Sequence, residues 1–204
     1  MKTYTEIFKD AISPEAVFTA WDEFRRGKRK KPDVQRFERY LEDNLLDLYD
    51  ELANKTYKHD SYTAFYVRDP KIRRIHKATV QDRIVHHLIY SKLSAIFEPT
   101  FISDSYSCRI GKGTHRGVQK LSAYARKIYQ AHGRCFILKC DIQKFFDTVD
   151  HDILFSLIQK RIKDSDFLWL VEEIIESYRT PDSRERERER ESKRRAQKNW
   201  YSYR

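Results

Sequence analysis

The chain has 204 residues, of which 40% are hydrophobic and 35% charged, so it can bury a core beneath a heavily solvated surface. Its formal net charge of +10 favours a polyanionic partner, nucleic acid above all. No run of about 18 apolar residues is present, so no membrane-spanning helix is expected, and three cysteines without paired spacing indicate reduced thiols in a cytoplasmic protein.

The first part of the chain is predicted to form helices followed by a β-hairpin. Apolar residues recur at helical spacing over residues 14–26 and again over 32–54, so one helix is expected in each range. Residues 62–68 are rich in β-branched and aromatic side chains, which predicts a strand, and a proline-containing turn follows. Residues 72–77 can then return as the second strand of a hairpin.

The remainder is predicted to be mainly helical. Thr79 and Asp82 stand three residues apart before an apolar helical stripe, which is the arrangement of a capping box. A helix is expected over 114–132, another after Asp150 as its N-cap, and a last one over 166–178. With the hairpin, this order of elements indicates an α+β protein.

A short apolar run at residues 135–140 is predicted to be a buried strand that ends at Asp141. A carboxylate at the end of a buried strand can project into a cleft and hold Mg²⁺, which prefers hard oxygen ligands. The alternative is that Asp141 caps the helix that follows.

The last residues differ in character from the rest of the chain. Residues 184–204 contain nine Lys or Arg and four Glu, in part as a strict Arg-Glu alternation with no apolar face. This pattern predicts a charged, disordered tail over 183–204. Half of the net charge lies there, so a globular protein with a basic tail would also explain the composition.

Four blocks of the sequence resemble the motifs of reverse transcriptases. The first, residues 136–151, has an apolar run, Asp141 and two aromatic residues in the order of the family's first palm motif. The resemblance implies that Asp141 and the backbone carbonyl of Ile142 bind catalytic Mg²⁺ or Mn²⁺. It also implies that Phe146 selects deoxynucleotides, because a bulky ring leaves no room for a ribose 2′-hydroxyl. Core packing is the alternative, and it is preferred for Phe145.

The second block is the predicted hairpin. Lys71 and Arg73 lie on one face of its second strand because side chains alternate with a period of two, and such a pair of cations can clamp a triphosphate. An exposed basic hairpin without a ligand is the alternative. The block resembles the fingers hairpin of the family, which implies that Lys71 and Arg73 contact the dNTP; Arg74 has no assigned role.

The third and fourth blocks contain cations that are candidates for contacts with a nucleic acid. Gln81-Asp82-Arg83 resembles the Asp-Arg helix motif of the family, which implies that Arg83 supports the template or the site, although it also suits an ordinary first helical turn. Residues 108–115 resemble the second motif of group II intron-like reverse transcriptases, most closely those of diversity-generating retroelements. That resemblance implies nucleic-acid contacts for Arg109 and Lys112.

The four blocks occur in the order of the family and imply a right-hand polymerase. The expected parts are an N-terminal helical extension over 1–60, fingers over 61–134 and a partial palm with a truncated sheet over 135–182, before the tail. The Tyr-x-Asp-Asp motif, which supplies the second metal carboxylate in the family, does not occur in the sequence, and neither does a thumb. The chain is therefore interpreted as a truncated reverse transcriptase that is inactive alone.

The resemblance also implies the partners. They are an RNA template, a DNA primer, dNTP and a small basic accessory protein, with no membrane. Two alternatives remain: a non-catalytic RNA-binding module and an antiphage protein derived from a reverse transcriptase.

Overall fold

The computed structural model describes residues 2–107, 109–143 and 145–178, and their contacts divide the chain into two compact units. Of the described residues, 2–93 and 145–178 form the larger unit, and those within Ser94–Gln143 form the smaller unit. Helices and one two-stranded antiparallel sheet make up the regular structure of the described residues, which confirms the α+β class. The elements are, in chain order, α1 (Ile7–Ala11), α2 (Pro14–Arg25), α3 (Pro32–Glu38), α4 (Leu41–Ala53), β1 (Thr63–Asp69), β2 (Lys71–Lys77), α5 (Val80–Phe97), α6 (Thr114–His132), α7 (Phe145–Thr148), α8 (His151–Gln159) and α9 (Ser165–Ser177).

Helix α2 forms where its sequence predicts it. The Ser13 hydroxyl accepts a hydrogen bond from the Ala16 amide at 3.1 Å, and Pro14 occupies a first-turn position at which an N–H would lack a helical partner. The helix buries one face in the core of the larger unit. That face consists of Val17, Ala20, Trp21 and Phe24.

The single helix predicted over 32–54 is wrong, because the chain breaks between α3 and α4. Tyr40 leaves the helical conformation, with φ −127° and ψ 47°. The Asn44 side-chain amide donates to the Phe37 carbonyl at 2.9 Å, which satisfies an acceptor at the end of α3. Neither Gly nor Pro marks the break. It accompanies tertiary packing, since the Phe37 ring lies 5.3 Å from the Trp21 ring.

The hairpin is confirmed, with its strands paired in register around Pro70. Asp69 pairs with Lys71 at the tip, and Thr63 pairs with Lys77 at the base. Side chains are exposed along β1 and along most of β2. The hairpin therefore projects from the larger unit with both faces accessible, except near its base.

The predicted capping box opens α5. The Thr79 hydroxyl donates to the Asp82 carboxylate at 2.6 Å, and the Asp82 amide donates back to the Thr79 hydroxyl at 3.2 Å. Helix α9 is capped by Asp164, whose carboxylate also accepts from the distant Phe8 amide at 2.8 Å. This one side chain therefore fixes the start of α9 against α1.

The smaller unit contains α6, which ends as predicted. Gly133 adopts φ 66° at the C-cap, a left-handed conformation that glycine accepts without a side-chain clash. No residue of α6 is buried. None of the helices in the described parts of the chain is long and apolar enough to cross a lipid bilayer.

The buried strand predicted at residues 135–140 is wrong. The segment has no regular structure, and Phe136 and Leu138 are 87% and 88% exposed. A strand must hydrogen-bond its backbone to a neighbour, but the sheet formed by the described residues contains only β1 and β2. Without a partner strand the segment stays solvated despite its apolar composition.

This exposure has a measurable consequence for stability. Replacing both residues (Phe136→Ser with Leu138→Ser) should change the free energy of unfolding of this chain by less than about 1 kcal/mol, because exposed positions contribute little. It should also reduce self-association, since an exposed apolar segment is an aggregation site. Urea denaturation and light scattering measure the two effects. A loss of about 3 kcal/mol or more, as for large-to-small changes in a core, would show that the segment is buried.

The charged tail predicted over 183–204 lies outside the described residues.

Candidate functional site

Asp141 and Ile142 follow the irregular segment of the smaller unit, and both are exposed. The alternative that Asp141 caps the next helix is wrong, because α7 begins four residues later, at Phe145. One carboxylate and one carbonyl are fewer ligands than Mg²⁺ takes. Across the described ranges, no three His, Cys, Asp or Glu side chains form a group that could hold a metal. Asp141 and Ile142 thus fit only part of a metal site.

Phe145 and Phe146 form the start of α7 in the larger unit. Their rings meet edge to face, with centroids 5.3 Å apart and planes at 72°. Phe146 is 87% exposed and Phe145 is also exposed, so the core-packing alternative is wrong for both. Two accessible rings in one short helix are available to contact a ligand.

Lys71 and Arg73 lie on the same face of β2, as the alternation predicts. Arg73 stands opposite Val67, and Lys71 stands opposite Asp69. Both cations are exposed and form no ion pair with another described residue. Arg74 points to the other face of the hairpin, because it is one residue out of phase. The structure therefore places Arg74 on the face opposite Lys71 and Arg73, which together form the candidate triphosphate clamp.

The base of the hairpin is fixed to the end of α9. The Tyr62 hydroxyl lies 2.9 Å from the Ser177 hydroxyl, and the Tyr178 hydroxyl lies 3.0 Å from Nδ1 of His76. The Tyr62 and Tyr178 rings also meet edge to face at 5.3 Å. Both strands are thus held at one end, while Lys71 and Arg73 are presented toward the free tip.

A buried polar network lies beside this base, centred on the Asp82 carboxylate. It accepts hydrogen bonds from the Tyr57 hydroxyl at 2.7 Å and from the Thr79 hydroxyl at 2.6 Å. Burial alone would raise the pKa of Asp82, but these hydrogen bonds outweigh it and hold the pKa below its usual value. The network ties the start of α5 to the segment after α4.

Two histidines extend the network. Nε2 of His59 lies 3.2 Å from Nε2 of His86, and the rings are stacked with centroids 5.3 Å apart. Burial, helped by the neighbouring His59, lowers the pKa of His86 to about 4, so this imidazole is neutral at physiological pH. The neutral His86 ring can therefore share a hydrogen bond with His59.

Arg83 is engaged in contacts inside the larger unit. Its guanidinium donates to Asp33 at 2.5 Å and to the Thr79 carbonyl at 3.0 Å, and it lies 4.9 Å from the Phe24 ring. Burial opposes ionisation of Asp33, but hydrogen bonds from Lys77 and Arg83 lower its pKa to about 2. The side chain of Arg83 is mostly buried, so its contacts support the fold of the hairpin base and α5.

In the smaller unit, Arg109 and Lys112 hold the loop before α6. The Arg109 guanidinium donates to the Glu98 carboxylate at 2.6 Å and to the Ile102 carbonyl at 3.0 Å. The Lys112 ammonium donates to the Ser103 carbonyl at 2.5 Å. Arg109 is largely buried by these contacts, whereas Lys112 stays partly accessible to a ligand.

Sequence reasoning missed two features of this region. One is the network around Tyr57, His59 and Asp82, which joins segments far apart in sequence and leaves no local signal in an irregular stretch. The other is a row of cations on α6, whose signal was the absence of any acidic residue in that helix.

No family model matches the chain, but it is similar to several curated proteins, of which three follow. It is 26% identical over 129 residues to Protein YkfC of Escherichia coli (strain K12), covering 62% of this chain and 34% of that protein. It is 32% identical over 106 residues to Nuclear intron maturase 1, mitochondrial, of Arabidopsis thaliana, covering 50% and 14%. It is 21% identical over 169 residues to Group II intron-encoded protein LtrA of Lactococcus lactis subsp. cremoris, covering 80% and 27%.

The chain thus spans about a third or less of the length of each of these relatives. The names of the second and third relatives support a relation to group II intron-encoded proteins and intron maturases, in agreement with the class that the sequence motifs resemble.

Proposed function

We propose that this chain is a portion of a reverse transcriptase related to group II intron-encoded proteins, and that it contributes the fingers and the first palm segment to RNA-templated DNA synthesis. The observation that carries the proposal is the hairpin. It is fixed at its base and presents Lys71 and Arg73 on one exposed face, in a chain whose relatives include intron-encoded proteins. The partners under this proposal are an RNA template, a DNA primer and dNTP.

The residues take separate roles. Lys71 and Arg73 would bind the triphosphate, since cations on a preorganised face stabilise the charge of a transferring phosphoryl group. Phe146 would exclude a ribose 2′-hydroxyl by its bulk. Asp141 and the Ile142 carbonyl would hold part of the coordination of Mg²⁺, which when bound neutralises phosphate charge and orients the reacting groups.

The second carboxylate has to come from elsewhere. We infer that a Tyr-x-Asp-Asp segment supplies it, since the 204 residues contain no such motif, and that this chain alone is inactive. We also propose, from residues 108–115 alone, that the chain is of the type found in diversity-generating retroelements. A small basic accessory protein would then be a further partner.

The hairpin provides the first test. In a version extended through a Tyr-x-Asp-Asp segment, replacing both clamp cations (Lys71→Ala with Arg73→Ala) should raise the KM for dNTP by about 100-fold or more, because each charged hydrogen bond to phosphate contributes about 1.5–3 kcal/mol. Primer extension on an RNA template measures it.

Arg74→Ala is the matched control, since Arg74 is on the same strand but on the opposite face. It should leave the KM for dNTP within about twofold. Equal effects of Arg74→Ala and of the double variant would contradict the assignment of one face to the triphosphate.

A second function is favoured by a separate observation. The smaller unit, residues 94–143, contains eight Lys or Arg and three Asp or Glu, so it carries an excess of positive charge. A non-catalytic RNA-binding module would use this charge and would bind RNA equally well after Asp141→Ala. Salt-dependent RNA binding without any incorporation by the extended chain would favour this function over polymerisation.

A further inference from the structure

Helix α6 has an unusual charge composition. Its 19 residues include Arg116, Lys120, Arg126 and Lys127 but no Asp or Glu. Every one of these four side chains is exposed. A solvated helix face commonly mixes both signs of charge, because opposite charges three or four residues apart stabilise a helix. A face with cations only is instead suited to an anionic partner.

The cations are aligned along the helix. At about 100° per residue, Arg116, Lys120 and Lys127 fall within about 40° of one line parallel to the axis. The row is about 16 Å long, since each residue advances the helix by about 1.5 Å. Most of the large apolar side chains of α6 lie away from this line; they include Val118, Leu121, Ile128 and Tyr129, whereas Tyr124 lies beside the row.

An open cleft of about 350 Å³ adjoins the N-terminal end of the row. Lys112, Arg116 and Lys120 line it together with polar and aromatic neighbours; the full lining is Tyr106, Lys112, Arg116, Gln119, Lys120 and Ala123. Arg116 uses one terminal nitrogen to bind the Gly111 carbonyl at 2.5 Å, which orients the guanidinium and leaves its other donors for a ligand.

One carboxylate near this face, Asp104, attracts Lys120 electrostatically but is hydrogen-bonded to hydroxyl groups. Asp104 accepts hydrogen bonds from the Tyr106 hydroxyl at 3.0 Å and from the Tyr124 hydroxyl at 3.1 Å. It forms no ion pair with a cation of the row among the described residues. The Lys120 ammonium lies 4.8 Å above the Tyr124 ring and remains exposed.

We propose that α6 is a docking helix for the phosphate backbone of RNA, with the row Arg116–Lys120–Lys127 following the backbone and the cleft taking one phosphate group. RNA is the favoured polyanion because the relatives include intron-encoded proteins. An anionic membrane is the other polyanion that fits a basic amphipathic helix. It is disfavoured because α6 lacks the Trp and Phe that usually anchor such helices. The choice of RNA rests on the proposed function, but binding by α6 requires neither Asp141 nor catalysis.

The test removes two cations and measures the salt dependence of binding. For the 204-residue chain and a short RNA hairpin, the double variant Lys120→Gln with Lys127→Gln should lower the slope of log Kd against log salt concentration by about 1.4–1.8. Fluorescence anisotropy measures the slope. Neither lysine contributes to the core, so circular dichroism should show an unchanged helix content.

The matched control removes the same charge from the larger unit. Lys160→Gln with Lys163→Gln changes two exposed lysines near the end of α8 and should leave the slope unchanged. Equal slopes for the two double variants, or no change in either, would overturn the proposal. So would a loss of binding to phosphatidylserine-containing vesicles with RNA binding intact, since that result assigns the helix to a membrane.

Discussion

Asp82→Ala is expected to destabilise the chain by about 3–5 kcal/mol. The carboxylate is fully buried and accepts from the Tyr57 and Thr79 hydroxyls, so its removal leaves two donors without an acceptor. It also removes the carboxylate half of the capping box at the start of α5, in which Asp82 accepts from the Thr79 amide at 3.3 Å. Urea denaturation of this chain at neutral pH measures the loss in the free energy of unfolding.

Two further variants separate the network from a general effect of charge. Tyr57→Phe keeps the ring and removes only the hydroxyl, so it should cost about 1–2 kcal/mol. Asp47→Ala removes an exposed carboxylate from α4 and should stay within about 0.5 kcal/mol of the parent. A loss below about 1 kcal/mol for Asp82→Ala would show that water reaches the network and replaces the carboxylate as the hydrogen-bond partner of the two hydroxyls.

The same network predicts how the effect depends on pH. The pKa of Asp82 is held below its usual value of 3.8 in the folded chain. A depressed carboxylate pKa contributes stability that is present above 3.8 and is lost as the pH falls through the folded value. The difference in unfolding free energy between the parent and Asp82→Ala should therefore shrink only in that acid range.

Local signals were sufficient for the elements that carry the candidate clamp. β-Branched and aromatic residues before a proline turn predicted the hairpin, and period two placed Lys71 and Arg73 on one face. The Thr79 and Asp82 pair and the position of Gly133 predicted the start of α5 and the end of α6 for the same reason, because caps depend on a few neighbouring residues.

Features that depend on distant residues could not be read in this way. The break at Tyr40 has no local helix breaker and goes with packing of Phe37 on Trp21. Residues 135–140 have the composition of a strand, but whether they form one depends on a partner strand. The contact between Tyr62 and Ser177 joins residues 115 positions apart, so neither segment predicts it alone.

The residues of the candidate site show the same contrast between local signals and contacts with distant residues. The motif pattern singled out Arg83 and Arg109 as cations, and the structure shows that each is held by carboxylates and carbonyls of its own unit. Their binding to nucleic acid stays a prediction. The row of cations on α6 depends only on helical period and was accessible from the sequence once the absence of acidic residues is considered.

Asp141→Ala is expected to lower nucleotide incorporation by about 1,000-fold or more in a chain extended through a Tyr-x-Asp-Asp segment. The exposed carboxylate is free of the structural contacts that hold Asp82, so its replacement should leave stability unchanged within about 0.5 kcal/mol. A loss of activity without a loss of stability would identify a ligand rather than a structural residue. Asp152→Asn, an exposed acid in the first turn of α8, is the matched control.

The most direct test of the proposed function is the incorporation of one dNTP on a primed RNA template with Mg²⁺. The proposed function predicts no incorporation by the 204-residue chain and clear incorporation by the extended chain and by its Asp152→Asn variant. It also predicts that Asp141→Ala removes the activity of the extended chain. Incorporation that persists after Asp141→Ala, or none from an extended chain shown to be folded, would contradict the assignment of Asp141 as a catalytic metal ligand.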